Sequence, residues 1–169
     1  MSVHEHKQHK TSVRCLVVTI SDTRTPETDK SGQLMENFLH ENGHQVIERA
    51  IIKDERYLIE NMVRKGCHDE QVDAILFNGG TGISNRDVTI ETIRPLFDKD
   101  IQGFGELFRM LSYTEDIGSA AMMSRAVAGV RDHTAIFATP GSSGAVKLAM
   151  DKLIIPELSH VIYELSKDR

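Results

Sequence analysis

Hydrophobic positions in this chain fall into short continuous runs separated by stripes at helical spacing. Residues 13–20 form a run dominated by β-branched side chains, residues 45–52 form a second, and Val72, Ala74, Ile75, Leu76 and Phe77 form a third. The third run, short and mostly continuous, suits a strand buried on both faces. Between the first two, Leu34, Met35, Phe38 and Leu39 recur on one helix face, and Gly43 stands where a helix would end on a C′ glycine. Between the second and third, Leu58, Ile59, Met62 and Val63 repeat the stripe, which stops near Gly66. The order β-α-β-α-β, with connections long enough only for crossover helices, predicts a parallel sheet covered on both sides.

Downstream, Asp87 or Thr89 is placed to cap a short helix that Pro95 limits. Phe104, Leu107, Phe108 and Leu111 make the buried stripe of the next helix. Residues 125–130 and 134–138 read as two strands joined by a polar turn at Arg131-Asp132-His133, so one of them runs antiparallel to the rest. Two helices finish the chain, with Pro156 at the first position of the last and Leu158, Val161, Ile162 and Leu165 as its buried face. The expected fold class is α/β: three layers, α/β/α, around a mostly parallel central sheet with one antiparallel strand. Residues 12–169 read as one domain. Residues 1–11, which carry His4, His6 and His9, read as a flexible arm rather than a metal-binding tract, since termini are usually mobile.

Composition narrows the function classes. With 169 residues, 40% hydrophobic and 27% charged, the chain can bury a real core. A net charge of −5 argues against bulk nucleic-acid or acidic-membrane binding, so an anionic substrate must be held by local groups. Cys15 and Cys67 show no metal-ligand spacing and suit a reducing compartment. No apolar stretch approaches the roughly 20 residues of a membrane span, and the first residues lack a signal-peptide core. The expected location is the cytoplasm.

The candidate chemistry gathers where strands end. In an open parallel sheet, ligands bind beyond the carboxyl ends of the strands. Four loops qualify: Ser21-Asp22-Thr23, Lys53-Asp54-Glu55, residues 78–87 and residues 139–144. The third begins Asn78-Gly79-Gly80-Thr81-Gly82, where absent side chains let a ligand approach the backbone and its N–H groups. The fourth, Thr139-Pro140-Gly141-Ser142-Ser143-Gly144, offers more N–H groups and hydroxyls. Asp22, Asp54 and Asp87 would repel a phosphate unless a hard cation sits between, and Mg2+ is the usual one. The set points to phosphoryl or nucleotidyl transfer, in which catalysis is mostly positioning and charge neutralisation.

Each feature has a plainer reading as well. The glycine loop matches neither a Walker A nor a dinucleotide motif and suits a tight turn equally. Asp87 alone reads first as a helix cap, and residues 139–144 as a strand-to-helix connection. Phe104 and Phe108 are core. Glu106 and Arg109 read as a solvated helix face, although Arg109 or Lys147 is placed to meet an anion. Cys67 and His68 read as surface. From the residues alone, the chain is an α/β protein with a magnesium-phosphate site.

Residues 78–91, Asn-Gly-Gly-Thr-Gly-Ile-Ser-Asn-Arg-Asp-Val-Thr-Ile-Glu, are similar to the signature of the molybdopterin-binding MoaB/MogA family: a Gly-Gly-Thr-Gly loop, a fixed gap, then Asp-Val-Thr-Pro-Glu. The likeness runs from the Ser21-Asp22 loop to the last helix, and residues 103–112 with 124–130 look like the MoaB branch. It implies a mostly parallel α/β fold, a homo-trimer or a hexamer of trimers, and a role in making molybdenum cofactor. Active members adenylylate molybdopterin with Mg-ATP, releasing pyrophosphate. On that resemblance, Asp54 and Asp87 are the catalytic and Mg2+-binding aspartates, and Gly79, Gly80, Thr81 and Gly82 cradle phosphate. Thr89 and Glu91 complete that motif. Pro140, Gly141, Ser142 and Ser143 hold the phosphate end of the pterin, with Ser112 near the site.

The chain departs from the family pattern in three places. Ile90 and Lys53 stand where proline is usual, and Ser143-Gly144 replaces a proline-containing loop end. None removes a carboxylate. They leave open a second reading, a pterin-binding or assembly protein of the same pathway with little turnover. A receiver-like or flavin-binding domain would need a phosphoacceptor cluster or a stacking aromatic, and neither is evident.

Overall fold

A computed structural model describes residues 11–169, so His4, His6 and His9 of the predicted arm lie outside the described residues. The strands are β1 (Arg14–Ile20), β2 (Gln45–Ile52), β3 (Ala74–Asn78), β4 (Lys99–Asp100), β5 (Val127–Arg131) and β6 (Thr134–Thr139). They form one six-stranded sheet in the order β2-β1-β3-β6-β5-β4. β1 pairs in parallel with β2 and β3, and β3 with β6. β5 runs antiparallel to both β6 and β4, which makes it the reversed strand of the sheet. The turn that reverses it uses Asp132 at φ 52°, a left-handed conformation that aspartate tolerates better than most residues.

Helices cover both faces, as expected. They are α1 (Lys30–Glu41), α2 (Arg56–His68), α3 (Thr89–Ile93), α4 (Gln102–Glu115), α5 (Ser143–Ala149) and α6 (Ile155–Ser166). Alternate residues of each central strand point to opposite layers. Val17, Leu76 and Phe137 pack with Met35, Phe104, Phe108, Val146 and Leu158 on one side. Leu16, Ile75 and Ile136 pack with Ile59, Val63 and Ile93 on the other. Phe104 meets Phe137 edge-on, with ring centroids 5.4 Å apart. The predicted core role of the phenylalanines therefore holds.

Several local readings need correction. Leu107, placed in the buried stripe of α4, is 47% exposed. The buried face of α4 is instead Phe104, Gly105, Phe108 and Ser112, a narrower strip that turns Leu107 outward. β5 starts at Val127 rather than residue 125, because Arg125 is drawn into side-chain contacts described below. The last two helices are joined without a break by a π-helical segment, Met150–Ile154, and Pro156 lies in the first turn of α6. β4 is only two exposed residues and carried no apolar signal. Cys67, read as surface, is half-buried and packs under the sheet, and burial pushes its thiol up from the ordinary value.

The layer formed by α2 depends on a close helix-to-sheet approach at Gly66. A Cβ there would lie 2.4 Å from Ile75 Cδ1. Gly66→Val should therefore destabilise the protein by about 1–3 kcal/mol through overpacking, measured by urea denaturation. An unchanged midpoint would contradict this packing.

Candidate functional site

β1, β2, β3 and β6 end at the same edge of the sheet, and the four predicted loops leave from there. Two backbone bonds tie the loop bases together: Ser21 N–H to the Ile52 carbonyl at 2.8 Å and Gly79 N–H to the Thr139 carbonyl at 2.9 Å. Gly79 has φ 101° and Gly80 φ 66°, a region that suits glycine. Space excludes side chains as firmly as torsion does. A Cβ on Gly79 would lie 2.2 Å from the Ile20 carbonyl oxygen, and one on Gly80 would lie 2.6 Å from Asp54 Oδ1. The bare main chain of the loop is thus pressed against the end of β1 and the Asp54 carboxylate.

Asp54 occupies an unusual position. Its Oδ1 is buried and has no hydrogen-bond partner, while its backbone N–H donates to Asp22 Oδ1 at 3.1 Å. Burial pushes the Asp54 carboxyl above its ordinary value, and the negative charges of Asp22 and Asp87 push it further. Asp54 and Asp87 therefore feel each other although they come from different loops. A buried acceptor without a donor, amid other carboxylates, suits a hard cation, whose ligands are oxygens. Among the described residues no cluster of three or more His, Cys, Asp or Glu could hold a metal; a cation here would draw on ligand oxygens for the rest of its shell.

Neither Asp87 nor Thr89 caps the helix that follows. The cap position of α3 is Val88, with no side-chain bond. Asp87 Oδ2 instead accepts from the Ser84 N–H at 3.0 Å and the Ser84 hydroxyl at 2.6 Å, which folds the carboxylate back over Gly82. Thr89 Oγ1 donates to the Gly79 carbonyl at 2.9 Å, and its N–H to the Gly80 carbonyl at 3.1 Å. Thr89 is a buried brace beneath the loop.

A cleft of about 390 Å3 opens above it, lined by Gly80, Thr81, Gly82, Asp87, Ser112, Pro140, Gly141 and Ser142 among others. These are predicted site residues from three separate segments. Asp54 borders the cleft through Gly80. Ser142 caps α5, its hydroxyl oxygen accepting from the Ala145 N–H at 3.2 Å. Two predicted residues face elsewhere. Ser143 is exposed at the start of α5 and does not line the cleft. Glu91 pairs with Arg125 on the far side of the loop, and that pair holds its carboxyl below the ordinary range.

Sequence reasoning missed three arginines. Arg125 donates through Nε to the Thr81 carbonyl at 3.1 Å and the Gly82 carbonyl at 3.0 Å, so those oxygens turn away from the cleft. Arg24 donates to the Gly141 carbonyl at 2.8 Å and to Ser31 Oγ at 3.0 Å. Arg86 reaches back to Asp22, with Nε 3.1 Å from Oδ2. No spacing rule finds the contacts to Gly141, Asp22, Thr81 and Gly82, because each joins residues far apart in sequence. Arg109, by contrast, is held by the Ala126 carbonyl at 3.2 Å, and Lys147 is exposed outside the cleft. His68 stays exposed, one ring nitrogen 2.7 Å from the Arg64 carbonyl.

The comparison with known proteins fits this geometry. A family model described as "Probable molybdopterin binding domain" matches residues 16–160. The chain belongs to that family. Within this molybdopterin-binding family it sides with the MoaB proteins. Molybdenum cofactor biosynthesis protein B of Bacillus subtilis is 66% identical over 170 residues, spanning 100% of both chains. A crystal structure of a molybdenum cofactor biosynthesis protein B superposes with a TM-score of 0.91 at 59% identity, covering 94% of this chain and 98% of that one. The tungsten cofactor synthesizing protein MoaB from Pyrococcus furiosus gives 0.83 at 32% identity, covering 93% and 99%. The relatives thus span proteins named for two metals.

The burial of Asp54 has a consequence for stability. Its folded carboxyl binds a proton more tightly than the unfolded one, so its contribution is most favourable at low pH. It is lost as pH rises from the ordinary carboxylate range through the raised value. Asp54→Asn should therefore melt at a higher temperature than the parent near neutral pH, with the gap closing on acidification. A variant that melts lower at neutral pH would show that Asp54 is held by partners rather than strained by burial.

Proposed function

We propose that this protein acts in molybdenum cofactor biosynthesis as a molybdopterin adenylyltransferase that uses Mg-ATP. The observation that carries the reading is the approach of Asp54 and Asp87 to the glycine loop from separate segments, Asp87 in a cleft shared with Pro140, Gly141 and Ser142 and Asp54 at its border against Gly80. The terminal phosphate oxygen of molybdopterin attacks the α-phosphorus of ATP. The bond from that phosphorus to its bridging oxygen breaks, and pyrophosphate leaves. The chain's own residues serve this in-line transfer by position. N–H groups of residues 80–82 line the phosphate path, since Arg125 binds the carbonyls of Thr81 and Gly82 while the Gly79 N–H stays on the Thr139 carbonyl. The 141–142 segment, anchored by Arg24, receives the phosphate end of the pterin. Mg2+, held by Asp54 and Asp87, would supply charge neutralisation between the carboxylates and the phosphates. Thr89 braces the loop from below and Glu91 acts on it through Arg125, while Ser112 closes the cleft wall.

The same reading includes a homo-oligomer, a trimer or a hexamer of trimers. Leu107, Met110, Tyr113, Ile117, Met122 and Met123 are all exposed along α4 and the turn after it, apolar side chains that contact with a second copy would cover.

Pyrophosphate release from ATP with molybdopterin and Mg2+ tests the activity. Asp87→Asn should lower the rate about 100-fold or more while molybdopterin still binds. Absence of turnover with any divalent metal, alongside intact pterin binding, would replace the enzyme by a pterin-binding or assembly role.

A further inference from the structure

Three arginines stand around the glycine loop and its cleft, and two are committed to main-chain carbonyls. Arg24 holds Gly141, and Arg125 holds Thr81 and Gly82. Arg86 differs. It lies in the loop itself, beside Asp87, and its hydrogen bonds go to the single carboxylate oxygen Asp22 Oδ2. The pair bridges the loop after β3 to the loop after β1, and the other oxygen of Asp22 accepts the Asp54 N–H. Arg86 thus sits across the acidic group formed by Asp22, Asp54 and Asp87. Both partners are open to solvent, with side-chain exposures of 64% and 36%.

An ion pair between exposed, flexible side chains is weakly held. A phosphate chain offers a guanidinium more charge and a bidentate partner. A polyanion arriving over Gly80 also meets three carboxylates, and the other nearby guanidiniums cannot turn to it without releasing backbone that shapes the cleft. We propose that Arg86 exchanges partners: it rests on Asp22 in the free protein and moves to the phosphate chain of a bound nucleoside triphosphate. This rests on the reading of the cleft as a nucleotide-phosphate site. Asp22 is then a resting partner that competes with the nucleotide, not a ligand for it.

The two members of the pair should consequently act in opposite directions. The affinity of the full chain for α,β-methylene-ATP with Mg2+, measured by titration calorimetry, reads this directly without turnover. Arg86→Gln should weaken binding about tenfold, the loss of one charge-assisted contact. Asp22→Asn, which can still accept the Asp54 N–H, should tighten it. The double variant should match Arg86→Gln alone, because no guanidinium is left to release. If both single variants weaken binding alike, the pair is a structural strap and the exchange is overturned. Tightening by Asp22→Asn that persists without Arg86 would reduce it to a general charge effect and overturn it equally. Wild-type protein that does not bind the nucleotide would instead remove the underlying reading of the cleft.

Discussion

The end of β1 and the Asp54 carboxylate come so close to Gly79 and Gly80 that no side chain fits between them. Much else follows from that contact. The left-handed torsions it requires turn the chain sharply out of β3, so the next residues pass over the sheet edge instead of continuing along it. Thr89 can then reach back to the Gly79 carbonyl, which fixes where α3 begins, and Asp87 is left on the cleft side of the loop. A methyl group at either glycine would have to displace backbone or a carboxylate, and the meeting of Asp54 with the loop would be lost.

Beneath the loop, the sheet edge is polar where a core would normally be apolar. Thr19, Asn78 and Thr139 lie in register on adjacent strands and are fully buried. Asn78 donates to Thr19 Oγ1 at 3.0 Å, and Thr19 donates to Asp29 at 2.9 Å. Asp29 in turn receives Arg49 at 3.2 Å and the Gly32 N–H at 3.0 Å. A buried carboxylate is tolerable only when paired in this way, and removing one partner of such a pair typically costs about 3–5 kcal/mol. The network links α1, β2 and the central strands to the floor of the cleft. Arg24, reaching from the same region to the Gly141 carbonyl, extends it to the second loop. Two loops distant in sequence are thereby held at a fixed separation by groups that do not themselves face a ligand.

The layered architecture was legible in the sequence because burial writes itself as period. β-branched runs at 13–20 and 45–52, and stripes such as Leu34, Met35, Phe38 and Leu39, each report one face of one element. Loop chemistry at strand ends was legible only in combination, since each glycine or aspartate there serves equally as a turn or a cap and four such loops meet at one sheet edge. The failures share a cause. Leu107 fitted a helical stripe, but period alone does not tell how wide the buried face is. Asp87 had the right type and place for a cap, yet Ser84 competes for its carboxylate at short range. Glu91 and Ser143 sat inside a recognisable motif but face away from the cleft. Arg24, Arg86 and Arg125 were silent because their partners are set by the tertiary fold.

A crystal structure of the full chain with Mg2+ and α,β-methylene-ATP would test most directly whether the acidic loops and the bare main chain form one site. Phosphate density crossing Gly80, with oxygens directed to Asp54 and Asp87, is the expected result. A nucleotide seated elsewhere, such as the groove lined by Arg94 and Arg109, with the glycine loop untouched, would contradict it.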